Sequence, residues 1–297
     1  MKNILITGHS GFIGSHLIAL LTSKHYEITG LSRKISKDPR ISEIRKDIQK
    51  ATQSDVKKNS SIIHLAALTD LTYCQHNPID CFEVNVDGTQ NMLEIARKKD
   101  AKLVYVSTSH VYGIPNKLPI SEDHPRNASS IYAASKIAAE TYCESYSKSY
   151  GMDISIMRLF SVYGPESPSH LVTTKIISQF VSKKGITLGN LFPKRDFVYV
   201  GDAVRAIEIA LKKSRGLKIY NVGTGKSYSI LQICNVLEKL AGVKIPIKSS
   251  KSKSRKFDIP NIVSNSSKLK RLGWEPLVSI EKGLQITLDW YRRSTQV

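Results

Sequence analysis

Three things are scarce in this sequence of 297 residues: long apolar runs, clustered cysteines and acidic side chains. No apolar stretch approaches the roughly 20 residues that a bilayer-spanning helix needs, so a transmembrane reading is excluded. The opening "MKNILITGHSG" has one lysine and a short apolar run before polar and glycine residues, and does not read as a signal peptide. The four cysteines, Cys74, Cys81, Cys143 and Cys234, are scattered, with no CxxC pair and no matching histidine spacing. That argues against a disulfide framework or a metal site and for reduced thiols in a cytoplasmic protein. Aspartate and glutamate number 25 against 44 lysines and arginines, a net charge of +19. The cations are spread along the chain, including "KSSKSKSRK" (248–256), with no nucleic-acid-binding motif beside them. Solvated surface charge is the first reading, a field that captures a small polyanion such as a nucleotide diphosphate the second, and nucleic acid the last.

What is present is ordinary globular composition, 41% hydrophobic and 23% charged, in a chain long enough for one large domain or two unequal ones. Strand-like runs, "NILIT" (3–7), "EITGLS" (27–32), "SIIHLAA" (61–67), "KLVYVST" (102–108) and "DISIMRLF" (153–160), alternate with helical patterns at 84–99 and 130–150. Continuous apolar strands alternating with helices predict an α/β fold: a doubly wound parallel sheet of Rossmann type. Beyond residue 164 the rhythm loosens into a Pro/Ser-rich loop, a short β excursion, the strand "KIYNVGT" and three helices. These predict a smaller C-terminal α/β lobe packed over the sheet's carboxyl edge. The expected division is a dinucleotide-binding unit of residues 1–164 to which 196–224 return, with 165–195 and 225–297 as the lobe.

The candidate chemistry lies at strand ends. "ITGHSGFIGSHL" (6–17) spaces Gly8, Gly11 and Gly14 by three between the first strand and first helix, where a pyrophosphate approaches a helix N-terminus. The second strand ends in "GLSRK": Ser32, Arg33 and Lys34 stand where an acid would take the adenosine ribose, which favours NADP over NAD. Asp47 is a candidate partner for the adenine amino group, or a plain surface acid. Ser107, Thr108 and Ser109 leave the "KLVYVST" strand together. In "IYAASK", Tyr132 and Lys136 are one helical turn apart, a spacing compatible either with ordinary packing or with proton transfer.

In order along the chain, "TGHSGFIGSHL", "HLAA", "NVDGTQNML", "STSHVYG", "YAASK", "RLFSVYGP", "RDFVYVGDAVRAI", "YNVGTGKSYS" and "LGWEP" run from residue 6 to residue 276. With these the chain resembles the extended short-chain dehydrogenase/reductases, specifically the NAD(P)-dependent nucleotide-sugar epimerase/dehydratase family of UDP-glucose 4-epimerase type. The resemblance implies Tyr132 as general acid/base, Lys136 lowering its pKa and binding the nicotinamide ribose, and Thr108 orienting the substrate oxygen. It extends the cofactor set to Ser10, Phe12, Ile13, Ile48, Leu65, Ala66, Ala67 and Asn85, with Ser107, Tyr132 and Lys136. For a nucleotide-diphosphate sugar it implies Thr108, Ser109, His110, Ser161, Arg195 and Arg255. Ser161 replaces the family's asparagine, and "SRKFD" around Arg255 is a degraded match.

Two enzyme functions follow: a 4-epimerase with transient hydride transfer at sugar C4, or an NADPH-dependent 4-keto-6-deoxy nucleotide-sugar reductase. A dinucleotide-binding redox sensor is the non-enzyme alternative. A dehydratase is disfavoured, because Ser109 and His110 stand where dehydratases of the family carry an Asp–Glu pair. The family also implies a homodimer through the helices at 84–99 and 130–150, with Met92, Ala139 and Tyr142 as outward apolar candidates; neither nucleic acid nor membrane is an expected partner.

Overall fold

A computed structural model describes residues 3–57, 60–182, 185–250 and 259–294. Seven parallel strands form the central sheet, in the order β7-β6-β5-β4-β1-β2-β3. They are β1 (Asn3–Thr7), β2 (Glu27–Ser32), β3 (Ser42–Arg45), β4 (Ser61–His64), β5 (Leu103–Thr108), β6 (Ile154–Leu159) and β7 (Leu217–Val222). The order reverses direction at β1 and β4, so the crevice for a ligand opens at their carboxyl ends. β7 is the "KIYNVGT" strand, which returns to the sheet edge and pairs with β6 from Leu217↔Ile154 to Val222↔Leu159. β3 carries no apolar run. Its sequence, "SEIR", holds one aliphatic side chain, and the strand survives at the sheet edge through pairing with β2 from Thr29↔Ser42 to Ser32↔Arg45.

Alternate strand residues face opposite layers. Ile4, Ile6, Ile63 and Val104 pack under α1 (Phe12–Thr22), whereas Leu5, Ile62, Leu103 and Tyr105 pack under α2 (Gly88–Lys98) and α3 (Ile131–Tyr150). The helix anticipated at 84–99 opens instead as a π-helical turn, Glu83–Asp87, before α2 begins. Ser130 caps α3 by accepting from the Ala133 amide at 3.2 Å, and Gly151, left-handed at φ 66°, ends it. Met92 and Ala139 are fully buried in the layer against the sheet, contrary to the outward placement expected of them; Tyr142 is exposed.

A third core gathers α4 (Val172–Val181), α6 (Ile230–Ala241) and α7 (Ile280–Ser294) around Ile176, Phe180, Ile233, Leu237 and Leu284. Between α4 and α6, α5 (Val200–Lys213) goes back to the sheet and lies beside α1. Trp274 of "LGWEP" closes that layer: it is fully buried and its indole N–H donates to the Asp202 carbonyl at 2.9 Å. The Asp202 carboxylate accepts from the Leu277 and Val278 amides, tying the segment down. Trp274→Ala is expected to lower unfolding free energy by about 3–5 kcal/mol. Leu277→Ala, at an exposed side chain, should change it by less than about 0.5 kcal/mol. Urea unfolding of both variants checks the contrast.

Candidate active site

β1 leaves the sheet at Gly8, whose φ of 70° is left-handed and whose added Cβ would sit 2.8 Å from the Ala66 nitrogen. At Gly14 an added Cβ would fall 2.5 Å from the His9 carbonyl oxygen. Backbone therefore packs on backbone, and no larger residue fits either position. Gly11 begins α1 without a side-chain cap, and the first turn holds no acid. Its unsatisfied N–H groups suit an anion. In front of them lies a cleft of about 610 Å³, lined on this side by Gly8, Ser10, Gly11, Phe12, Ile13 and Gly14. The glycine cradle and uncapped helix end fit a dinucleotide pyrophosphate.

A second stretch of the lining is built from β2, β3 and the turns after them. Ser32, Arg33, Lys34, Asp47 and Ile48 line the cleft, as expected, together with Lys46 and Gln49. Ser32 hydrogen-bonds Ser10 at 3.0 Å and donates to the Lys34 carbonyl. Asp47 faces Arg33 across 3.7 Å, both well exposed. No local pattern of residues marks the clamp beneath them. Glu43 accepts from the Ser36 amide and hydroxyl at 2.7 and 2.6 Å and from the Lys37 amide at 2.9 Å, and it pairs with His9 Nε2 at 2.6 Å. One carboxylate thus joins the glycine turn to the basic loop. Gly30 leaves the space that the His9 ring fills, since a Cβ there would be 2.5 Å from the ring. Burial would raise the Glu43 carboxyl, but hydrogen bonds from Ser36, His9 and Lys37 outweigh it and hold it at about 2.

At the centre, Thr108 ends β5 and Tyr132 opens α3, both almost fully buried and both lining the cleft. Burial pushes the Tyr132 phenol far above its ordinary value, and a hydrogen bond with Thr108 works against it. Lys136, one turn along α3, also lines the cleft. Its ammonium donates to the Val106 carbonyl at 2.8 Å and sits 4.2 Å from the centre of the Tyr105 ring. Burial lowers it to about 8, opposed by the Glu140 carboxylate one turn further along. His110 stacks edge-on to Tyr132 with ring centroids 6.0 Å apart. Below, His64 bridges Thr7 at 2.6 Å and Thr89 at 3.1 Å; burial, aided by the Lys136 charge, brings it down to about 3, so it is a neutral structural link.

Leu65, Ala66 and Ala67, then Ser107, Ser109, Ser161 and Arg195, complete the anticipated lining. Asn85 is the exception. It is buried in the π-helical turn, accepts from the Leu68 amide at 2.8 Å, and donates to the Leu68 carbonyl at 3.0 Å and to Ser135 at 2.9 Å. It supports the loop after β4 instead of lining the cleft. Arg255 lies outside the described residues. Arg195 donates to the Lys194 and Ile259 carbonyls at 2.9 and 2.7 Å. Its neighbour Asp196 is wholly buried and accepts from Thr224, Gly225 and Ser264. Lining residues without a sequence signal include Asp70, His170 and Lys175. Asp70 caps the short helix Leu71–His76 and faces His170 across 4.0 Å.

A Rossmann-type sheet with this glycine turn and a Thr–Tyr–Lys set at its carboxyl edge defines the extended short-chain dehydrogenase/reductase class. The chain belongs to the NAD dependent epimerase/dehydratase family, whose pattern matches residues 4–223. It is 33% identical to the UDP-glucuronate 4-epimerase of Thermodesulfobacterium geofontis, over 100% of this chain and 98% of that one. It is 31% identical to UDP-glucuronic acid decarboxylase 1 of Xenopus tropicalis, over 99% of this chain and 73% of that one. Among solved structures, the UDP-glucuronic acid 4-epimerase of Bacillus cereus in complex with UDP-glucuronic acid and NAD superposes with a TM-score of 0.91. Identity there is 30%, covering 99% of this chain and 100% of that one.

The Glu43 clamp has a defined pH signature. A carboxyl lowered from 4.5 to about 2 contributes stability that is fully present above the ordinary value and lost as pH falls through the lowered one. The stability gap between wild type and Glu43→Gln should therefore be constant from neutral pH to about 4.5 and close toward pH 2. Urea midpoints measured down that range check it.

Proposed function

We propose that the protein is an NAD(P)-dependent nucleotide-sugar 4-epimerase acting at sugar C4. The observation that carries this reading is the meeting of Thr108, Tyr132 and Lys136 in one cleft with the glycine turn at one side and Arg195 at another. When bound, a nicotinamide dinucleotide supplies reversible hydride transfer and a positive ring charge. The chain's own residues do the rest. The glycine turn and α1 N-terminus hold the pyrophosphate. Tyr132 holds and moves the proton at the C4 oxygen, and Thr108, beside it in the cleft lining, orients that oxygen. Arg195 neutralises the substrate diphosphate. The printed ligands of the B. cereus relative, a UDP-sugar and NAD, support a nucleotide-diphosphate sugar as substrate class.

A second reading, a 4-keto-6-deoxy nucleotide-sugar reductase, draws on Arg33 and Lys34 beside a strand end without an acid, which suit the 2′-phosphate of NADPH. Four buried, unbridged thiols support a reducing, cytoplasmic setting. Exposed Tyr142 on α3, and exposed Ile79 and Phe82 on the short helix Pro78–Phe82, support association as a homodimer.

The purified protein with a panel of UDP-, GDP- and dTDP-sugars should interconvert C4 epimers with no net cofactor turnover. Consumption of added NADPH by a 4-keto-6-deoxy sugar nucleotide would instead establish the reductase. Tyr132→Phe should lower kcat by about 10²–10⁴-fold while sparing cofactor affinity; unchanged turnover rules the mechanism out. Arg33→Ala with Lys34→Ala should weaken NADP+ binding more than NAD+ binding in calorimetric titrations, and equal losses would remove the preference for the phosphorylated form.

A further inference from the structure

We infer that Glu140 is a positioning residue for the acid/base chemistry: from beneath the cleft it fixes Ser107 as a hydrogen-bond acceptor and supplies the negative charge that faces Lys136. The inference rests on the epimerase reading of the site and adds a residue to it.

Glu140 is wholly buried on α3, one helical turn beyond Lys136. A buried carboxylate persists only when compensated, and Arg158 on β6 compensates it, donating through Nε at 3.0 and 3.1 Å and through Nη2 at 2.7 Å. Arg158 is itself locked: its Nη1 donates to the Tyr112 hydroxyl and the Glu122 carbonyl, both at 2.9 Å. Arg126 Nη1 adds a longer contact to Glu140 at 3.3 Å. The remaining capacity of Glu140 goes to the site, where the Ser107 hydroxyl donates to Oε1 at 2.5 Å. Ser107 has a single proton. With that proton committed to a carboxylate, its oxygen offers only lone pairs to whatever occupies the cleft it lines beside Thr108. It therefore recognises an N–H or O–H donor, whether that donor belongs to the dinucleotide or to the sugar.

The second effect is electrostatic. The groups facing Lys136 are Glu140 and Cys143 on its own helix, Tyr105 on β5, His64 on β4 and Cys81 on the short helix Pro78–Phe82. Glu140 is the carboxylate among them. Burial draws the ammonium down to about 8 even with Glu140 opposing it. The folded value lies below the ordinary one, so the ammonium is lost as pH rises through it. Without the carboxylate that loss moves to lower pH.

The test compares wild type with Ser107→Ala, Glu140→Gln and the double variant Glu140→Gln/Arg158→Met, which removes the guanidinium that the single change leaves uncompensated. Rates of C4 interconversion and NAD+ affinity are measured against pH. Both Glu140 variants should move the alkaline limb of kcat, and the pH at which NAD+ binding weakens, downward by about one unit or more, with activity recovering as pH is lowered. Ser107→Ala should leave that limb in place and weaken either NAD+ Kd or sugar-nucleotide KM by about tenfold, the affected constant naming the donor's owner. A folded double variant with an unmoved limb overturns the inference. So does Ser107→Ala with every constant unchanged, an arm that stands even where the Glu140 variants fail to fold. If wild type lacks epimerase activity, the reaction assignment fails alone, because the NAD+ binding profile still reads Glu140.

Discussion

Burial acts on Tyr132 and Lys136 alike and pushes each toward its neutral form. The Tyr132 phenol rises and the Lys136 ammonium falls, both because the floor of the cleft excludes water. Everything packed around the pair is an answer to that constraint. The Val106 carbonyl and the face of Tyr105 hold the ammonium, a Thr108 hydrogen bond favours the phenolate, and Glu140 places a charge one turn away. A drier site strengthens each of these interactions and raises the cost of losing any one of them. Tyr132 and Lys136 are each set by their surroundings, the ammonium by the Val106 carbonyl and the Tyr105 face and the phenol by burial.

The backbone places these groups with little latitude. The loop after β4 passes so close to Gly8 that neither strand end can shift without the other, and Asn85 and His64 fasten that loop and strand from below. On the far side, Asp196 gathers amides and hydroxyls from Thr224, Gly225 and Ser264, so the segment carrying Arg195 is anchored to the chain that follows β7. Thr108 comes from β5 and Tyr132 from α3, the glycine turn follows β1 and Ser32 ends β2, whereas Ser161 and Arg195 lie in segments beyond β6. The seven-stranded sheet fixes the strand ends, and two short two-stranded pairings, 161–163 with 197–199 and 194–195 with 228–229, place the last two residues.

Much of this was legible in the residues. "NILIT" and "EITGLS" coincide with β1 and β2 because buried parallel strands are continuous apolar or small-residue runs, and Ser130 with Gly151 brackets α3 by ordinary capping. Short motifs at strand ends located the glycine turn, the ends of β2 and β5 and the start of α3, but not the stretches 69–72 and 168–175 that also line the cleft. What escaped had no local pattern. β3 is an edge strand held by pairing, with one aliphatic side chain, and Glu43 within it acts through loops seven residues away and through His9. Asn85 sits in a motif but spends its amide on the Leu68 backbone, a partner chosen by tertiary packing. Spacing put Lys136 on the same face as Tyr132, yet the carbonyl of a neighbouring strand captured the ammonium. The outward reading of Met92 and Ala139 failed for the same reason: helical periodicity gives a face, and only packing says which layer covers it.

Overall likeness does not choose the reaction, since relatives of about equal identity carry the names of a 4-epimerase and of a decarboxylase. The distribution of carboxylates is more discriminating. Eliminating water from a sugar needs a base and an acid beside the ring, and in dehydratases of the family an Asp–Glu pair after the threonine provides them. Here Ser109 is buried and His110 rests against Tyr132 at those positions. Among the described residues lining the cleft, the acids are Asp47 and Asp70. Asp47 faces Arg33, and Asp70 is committed to the Thr72 and Tyr73 amides and faces His170. A cleft lined there by hydroxyls, imidazoles and cations, with the Tyr132 phenol among them, is equipped to move a single proton at one hydroxyl oxygen. That equipment favours oxidation and reduction at one position over elimination.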